Sequence, residues 1–116
     1  MPRYSLKGRE NIQALLNTGK RYLSDRLALY LNRTKPDSND LFNVAYLISG
    51  IAGNAVQRNR VKRWMREDFR QLQMNYKVEG LFAIRLRNSR DIAKTITHPE
   101  ITNELETIFL SIMADA

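Results

Sequence analysis

Hydrophobic positions along this chain follow two periods. Leu27, Leu29 and Leu31 alternate with Arg26, Ala28 and Tyr30, the period of a strand, within an extended stretch that begins near Arg21. Phe42 to Ser49 is a second extended run, with Val44, Tyr46 and Ile48 on one side. Leu81 to Arg87 is a third, in which Phe82, Ile84 and Leu86 oppose Ala83, Arg85 and Arg87. Helical spacing appears in three other places. Ile12, Leu15 and Leu16 form an inward stripe on a first helix, with Ser5 as its expected cap. Thr18-Gly19 ends it, Gly19 being suited to a left-handed C-cap. Val61, Trp64, Met65, Phe69 and Leu72 give an apolar face to a second helix, from about Asn54 to Met74. Ile101, Leu105, Ile108, Phe109 and Ile112 stripe a last helix, opened by the capping box Thr97-His98-Pro99-Glu100.

The connections carry turn chemistry. Arg33 to Asp40 gathers Pro36, Asp37, Ser38, Asn39 and Asp40, and Gly50 and Gly53 separate the second extended run from its helix. Tyr76 to Gly80 is a connector, and Asn88 to Ile96 reads as a mixed polar loop. The short polar loop between the first two extended runs predicts that they pair antiparallel. Strands with helices packed on one face make an α+β fold, and residues 1–116 read as one domain without repeat or linker.

Charge changes this picture more than composition does. The formal net charge is +7 and Arg supplies 13 of the 19 cations. Guanidinium groups match phosphate geometry and stack on bases, so the excess points to nucleic acid. Six cations fall within the thirteen residues from Arg58 to Arg70. Arg58, Lys62, Arg66 and Arg70 advance about 40° at each i, i+4 step and form one slowly winding ladder. Arg63 joins its far edge and Arg60 lies beyond. Asn59, between two arginines, could hydrogen-bond a base edge, a sugar hydroxyl or the backbone. Only Glu67 and Asp68 balance the segment locally. The preceding element reads as a strand, which argues against a helix-turn-helix. Tyr30 and Arg26, expected on one strand face opposite the leucines, are a candidate stacking platform for unpaired bases, as against a tyrosine at the core edge. Tyr22 and Tyr46 are further aromatic candidates, with a core-edge role favoured for Tyr46.

No catalytic constellation accompanies this surface. The chain has no cysteine and one histidine, His98, inside the capping box. Asp25, Asp37, Asp40, Glu67, Asp68 and Asp91 are scattered, without metal-ligand spacing. No signal-like or membrane-spanning apolar stretch is visible, so a soluble, cytoplasmic protein is expected. The residues alone predict a polyanion-binding module. A general structured-RNA-binding or ribosome-assembly protein and a duplex-DNA regulator are the other classes to weigh.

The run Gly53-Asn54-Ala55-Val56-Gln57-Arg58-Asn59-Arg60-Val61-Lys62-Arg63, continued by Arg66-Glu67 and Phe69-Arg70, resembles the signature of the bacterial ribonuclease P protein component. Leu6-Lys7, Gly19-Lys20-Arg21, Leu29-Tyr30, Val44 and Ser49 also fall where that family has similar residues. The resemblance implies about four strands packed with three helices, in the order αβββαβα, with a left-handed βαβ crossover through the basic helix. It implies a subunit of a ribonucleoprotein endonuclease that removes the 5′ leader of precursor tRNA. Its partners would be the catalytic RNA and precursor tRNA, with the protein monomeric and away from membranes. Catalysis would come from the RNA with bound magnesium, the protein alone holding no cofactor. Arg58, Asn59, Arg60, Lys62, Arg63, Arg66 and Arg70 would contact the catalytic RNA. Tyr30, Arg26, Ile12, Leu16 and Arg87 would line a cleft for the leader. Two departures stand out. Gly50-Ile51 follows Ser49 where the family usually has a lysine pair, and Ile12 and Leu16 stand where it favours phenylalanine.

Overall fold

A computed structural model describes residues 5–36, 40–87 and 89–115. Helix α1 (Arg9–Thr18) leads into strands β1 (Lys20–Leu23), β2 (Leu27–Asn32) and β3 (Phe42–Leu47). A 3-10 turn (Gly50–Ala52) precedes the long helix α2 (Ala55–Tyr76), then strand β4 (Gly80–Leu86), a short helix α3 (Ile92–Thr95) and α4 (His98–Ala114). Residues 37–39 of the expected polar turn, Asn88 and the first four residues lie outside the described residues.

The four strands lie in the order β1-β2-β4-β3. β4 runs antiparallel to β2 and parallel to β3, so the expected β2–β3 pair does not form. Burial explains the insertion. Phe82, Ala83 and Ile84 of β4 are fully buried, so both its faces are covered, as a central strand requires. β3 leaves Tyr46 and Leu47 half-buried and suits an edge. α2 is thus a crossover between neighbouring parallel strands.

One sheet face carries Leu27, Leu29, Leu31, Val44, Phe82, Ile84 and Leu86 into a core shared with α2 and α4. The apolar stripes supply its other half: Val61, Met65 and Phe69 from α2, and Ile101, Leu105, Ile108, Phe109 and Ile112 from α4. Phe69 is its centre, with ring centroids 5.2 Å from Phe42, 4.9 Å from Phe82 and 5.6 Å from Phe109. α1 lies over β2 and β4, and Leu15 is its buried anchor.

Several local expectations are corrected. Ser5 does not cap α1. It bridges to Val44 beside β3, where the Leu6 N–H donates to the Val44 carbonyl at 2.9 Å, and α1 starts after Gly8. Gly19 is extended (φ −69°), not left-handed, and is needed for space: a Cβ there would lie 2.6 Å from the Leu15 carbonyl oxygen. The loop between β4 and α4 contains α3, whose Ala93 is fully buried. α2 runs two residues beyond Met74, to Tyr76, closed by Lys77 in the left-handed region (φ 51°). Gln73, the one buried polar residue among those described, secures that end. Its Nε2 donates to the Val78 carbonyl at 2.9 Å, and its Oε1 accepts from the Val78 N–H at 2.8 Å. The Thr97–Glu100 capping box forms as read, and Asn54 and Gln57 make another at the start of α2.

α4 is also tied to the β1–β2 turn. Glu104 accepts from the Arg26 N–H at 2.7 Å and from the Arg26 guanidinium at 2.8 Å, and it bonds the Ser24 hydroxyl. Burial acts to raise the Glu104 pKa, but the bonds from Ser24 and Arg26 outweigh it and hold the group below its ordinary 4.5.

Two outcomes follow. Gln73→Ala should destabilise the fold by about 1–3 kcal/mol, since it leaves the buried Val78 N–H and C=O unpaired, and denaturant titration reads this directly. As pH falls below 4.5, the unfolded chain protonates at the Glu104 position before the native state does, so this contribution to stability is lost towards the lower native pKa. Thermal midpoints of Glu104→Gln should therefore fall less steeply with acid than those of the wild type.

Candidate nucleic-acid interface

Seating Val61, Met65 and Phe69 in the core fixes the roll of α2, and with it the outward side chains. Asn59, Arg63 and Arg70 are exposed; Arg58, Arg60, Lys62 and Arg66 are half-buried along the flanks. Among the described residues, no carboxylate lies within ion-pairing distance of any of these cations. Asp68, one of the two acids expected to balance them, turns away: its Oδ1 meets His98 Nε2 at 3.0 Å and its Oδ2 accepts from Thr102 Oγ1 at 2.8 Å. Like charges at i, i+4 weaken an isolated helix by about 0.2–0.5 kcal/mol per pair. Here the buried face carries the helix, and the cations remain available to a polyanion.

The ladder does not project uniformly. Arg58 Nε donates to the Gly53 carbonyl at 3.0 Å, at the helix start. The Arg66 guanidinium packs 5.8 Å from the Tyr46 ring centroid. Burial pushes the Tyr46 hydroxyl far above its ordinary pKa, against the opposing pull of Arg66 and Arg70. The phenol therefore stays neutral beside the cations. Arg60 lies over Trp64, 5.2 Å from the ring centroid, and its Nη2 donates to the Ala93 carbonyl at 3.3 Å. Its Nε is buried with no hydrogen-bond partner among the described residues. Asn59, Arg60, Lys62, Arg63 and Arg66 edge a shallow cationic hollow with Val56, which is 76% exposed.

A second cationic surface lies on the sheet face beneath α1. Register places Arg21, Tyr30, Ala83 and Ala45 in one row across the strands, and Leu23, Ala28, Arg85 and Leu47 in the next. Three alanines floor this face, and Tyr30 and Arg85 rise from it. Tyr30 shares one groove with Arg21, Arg85 and Arg87, and Arg85 also lines a second of about 480 Å³ with Leu16, Tyr46, Leu47 and Lys62. Arg85 joins the two, and Lys62 brings the edge of the α2 ladder into the second.

Of the residues expected in a cleft, Tyr30, Arg87 and Leu16 line these grooves. Ile12 is half-buried one turn earlier on α1 and lines neither. Arg26 is displaced from its expected place beside Tyr30. It precedes β2, and its guanidinium pairs with Glu100 at 2.6 Å and Glu104 at 2.8 Å, on the α4 side. Two acids on a neighbouring helix outweigh the strand alternation that would have turned it towards the tyrosine. Arg21 and Arg85 were not among the expected cleft residues. Arg85 carried a usable signal, since it alternates with Ile84 and Leu86 on the face opposite the core. At the mouth of α2, Gly50-Ile51 forms part of the 3-10 turn, and Ile51 is 49% exposed where the related sequences were expected to place cations.

The ribonuclease P family model matches residues 1–113. The chain belongs to the ribonuclease P protein family. It is 33% identical over 106 residues to the ribonuclease P protein component of Exiguobacterium sp., covering 91% of this chain and 87% of that relative. It is 30% identical over 105 residues to that of Macrococcus caseolyticus, covering 90% and 86%. The solved Staphylococcus aureus RNase P protein superposes with a TM-score of 0.76 at 25% identity, over 94% of each chain. The Thermotoga maritima RNase P protein shares the fold alone, with a TM-score of 0.74 at 17% identity over 89% of this chain and 92% of that one. The α+β domain, its element order and the left-handed crossover implied by the resemblance are consistent with these structures. Two details differ from the expectation of three helices: the short α3 and the 3-10 turn are additional.

The unpaired ladder generates a direct expectation. Lys62→Ala and Arg66→Ala should each weaken binding to structured RNA and reduce the slope of log affinity against log salt by about 1. Filter binding at several salt concentrations measures both. An unchanged slope would remove that side chain from the phosphate-contacting set.

Proposed function

We propose that this chain is the protein subunit of ribonuclease P, an endoribonuclease, and that it promotes 5′-end maturation of tRNA. In this reading α2 binds the catalytic RNA through Arg58, Asn59, Arg60, Lys62, Arg63, Arg66 and Arg70. The sheet face under α1 takes the 5′ leader of precursor tRNA, with Tyr30 stacking on a base and Arg21, Arg85 and Arg87 meeting phosphates. The observation that carries the reading is the row of cations on α2, unpaired by any described carboxylate, in a chain of this family.

The protein's contribution is electrostatic and positional. Cations held on a seated helix lower the repulsion between two RNA molecules that must come together. Among the described residues no group of three or more His, Asp or Glu side chains is placed to hold a metal ion. Glu100 and Glu104 are engaged with Arg26, and Asp115 with Lys20. These residues do not fit a magnesium site, and in this reading the RNA holds the magnesium of the holoenzyme and supplies the catalysis. Among the described residues no helix is long and apolar enough to cross a membrane. The chain acts as a cytoplasmic monomer in this reading.

Cleavage of precursor tRNA by a bacterial ribonuclease P RNA at low magnesium, with and without this protein, tests the proposal. Strong stimulation at the mature 5′ end is expected, and it should be lost in Arg58→Ala combined with Arg60→Ala. Tight RNA binding without stimulation would instead make the chain a general structured-RNA binder. Tyr30→Ala should weaken binding of leader-bearing substrate more than that of mature tRNA, by about 1–3 kcal/mol if a base stacks there. Equal losses for the two would remove Tyr30 from the leader site.

A further inference from the structure

Arg60, Trp64 and Asp68 form one i, i+4 row on α2, and His98 of α4 closes it. The Arg60 guanidinium packs on the indole of Trp64, and that indole stacks on the His98 imidazole with centroids 5.3 Å apart and planes 7° from parallel. The imidazole cannot turn freely, because Nε2 is bonded to Asp68 Oδ1 at 3.0 Å. Asp68 is itself held through its other oxygen by Thr102 at 2.8 Å. The column therefore begins at a cation on the edge of the α2 hollow and ends in a hydrogen-bonded anchor between two helices. His98 touches no part of that hollow.

We propose that His98 is a positioning residue for the RNA contact of Arg60, an inference that rests on the RNA-binding role proposed above. A guanidinium on a long flexible stem loses rotamer freedom when it binds. The indole plane restricts Arg60 before RNA arrives, and His98 restricts the indole. Asp68 and Arg60 are the charged groups in contact with this column, and neither forms an ion pair with the other. Removing His98 leaves every phosphate-binding cation in place and takes away the ordering of one.

A double-mutant cycle on binding to a bacterial ribonuclease P RNA tests this. His98→Ala should weaken binding roughly 3- to 10-fold, the cost of ordering one long side chain, with the salt slope unchanged because no phosphate contact is removed. His98→Phe, which keeps an aromatic face against Trp64, should recover most of the loss. In an Arg60→Ala background, His98→Ala should have no further effect. Asp68→Ala, which removes the anchor that fixes the imidazole while keeping the ring itself, enters the same cycle and keeps it readable if His98→Ala does not fold. Emission from Trp64, the only tryptophan, reports whether each variant retains the stacked environment.

Losses from His98 and Arg60 that multiply instead of merging would make His98 merely structural and overturn the positioning role. Wild-type affinity in both folded His98→Ala and Asp68→Ala would also overturn it. If Arg60→Ala itself binds like the wild type, the RNA contact at Arg60 falls, and this inference falls with it. A weakened Arg60→Ala with independent His98 losses sinks only the inference.

Discussion

The edge-to-face cluster around Phe69 is the contact on which the rest of the molecule depends. Phe42 and Phe82 of the sheet and Phe109 of α4 all meet that one ring. It locks α2 against sheet and helix at once, leaving the helix no freedom to roll. A roll of 100° would carry Val61 and Met65 out of the core and bury arginines in their place. Burying an unpaired charge costs several kcal/mol, so the apolar seat and the cationic face specify the same orientation from opposite sides. A helix that like-charge repulsion would weaken in isolation is held at full length by packing, which leaves its polar side chains free to serve recognition.

That orientation also determines how the two cationic surfaces meet. The ladder winds around α2, so its members differ in neighbours although they share a chemistry. Lys62 and Arg66 fall on the β3 side, where Tyr46 and the groove containing Arg85 lie. Arg60 falls on the α3 and α4 side, where it lies over Trp64. Arg63 and Arg70 point to solvent. Helical spacing thus divides one basic motif into a flank beside the sheet groove, an outer face and a flank anchored on other helices.

The sequence was most legible where a signal was local. The strand alternations at 27–31 and 82–86, the apolar stripe of α4 and the Thr97–Glu100 box depend only on neighbours along the chain, and all appear in the structure. The family signature was equally local, lying on one helix. What could not be read depended on distant partners. The loop between β2 and β3 suggested that they pair, but β4, arriving after a 22-residue helix, is the strand with enough apolar surface to occupy the centre. Arg26 was drawn off its expected face by Glu100 and Glu104, far away in sequence. Gly19 was correctly a terminator but for a different reason, since close approach of Leu15 requires it and not backbone handedness. Gln73 is not among the apolar residues of the α2 stripe, and only the return of the chain at Val78 makes its burial favourable.

The sheet groove shows how shape and charge combine when aromatic surface is scarce. Ala28 lines the groove beside Tyr30 and Arg85, whereas Ala45 and Ala83 are buried and line neither groove. Leu16 on α1 supplies an apolar wall in place of an aromatic one. One tyrosine offers one stacking surface, whereas Arg21, Arg85 and Arg87 around it offer several phosphate contacts. Stacking tolerates any base and phosphate contacts ignore base identity, so neither distinguishes sequence. A groove built this way combines positive charge with one aromatic face. A larger side chain at Ala28 would fill the space between Arg21, Tyr30 and Arg87, so the shape of this groove depends on that alanine as its charge depends on the arginines.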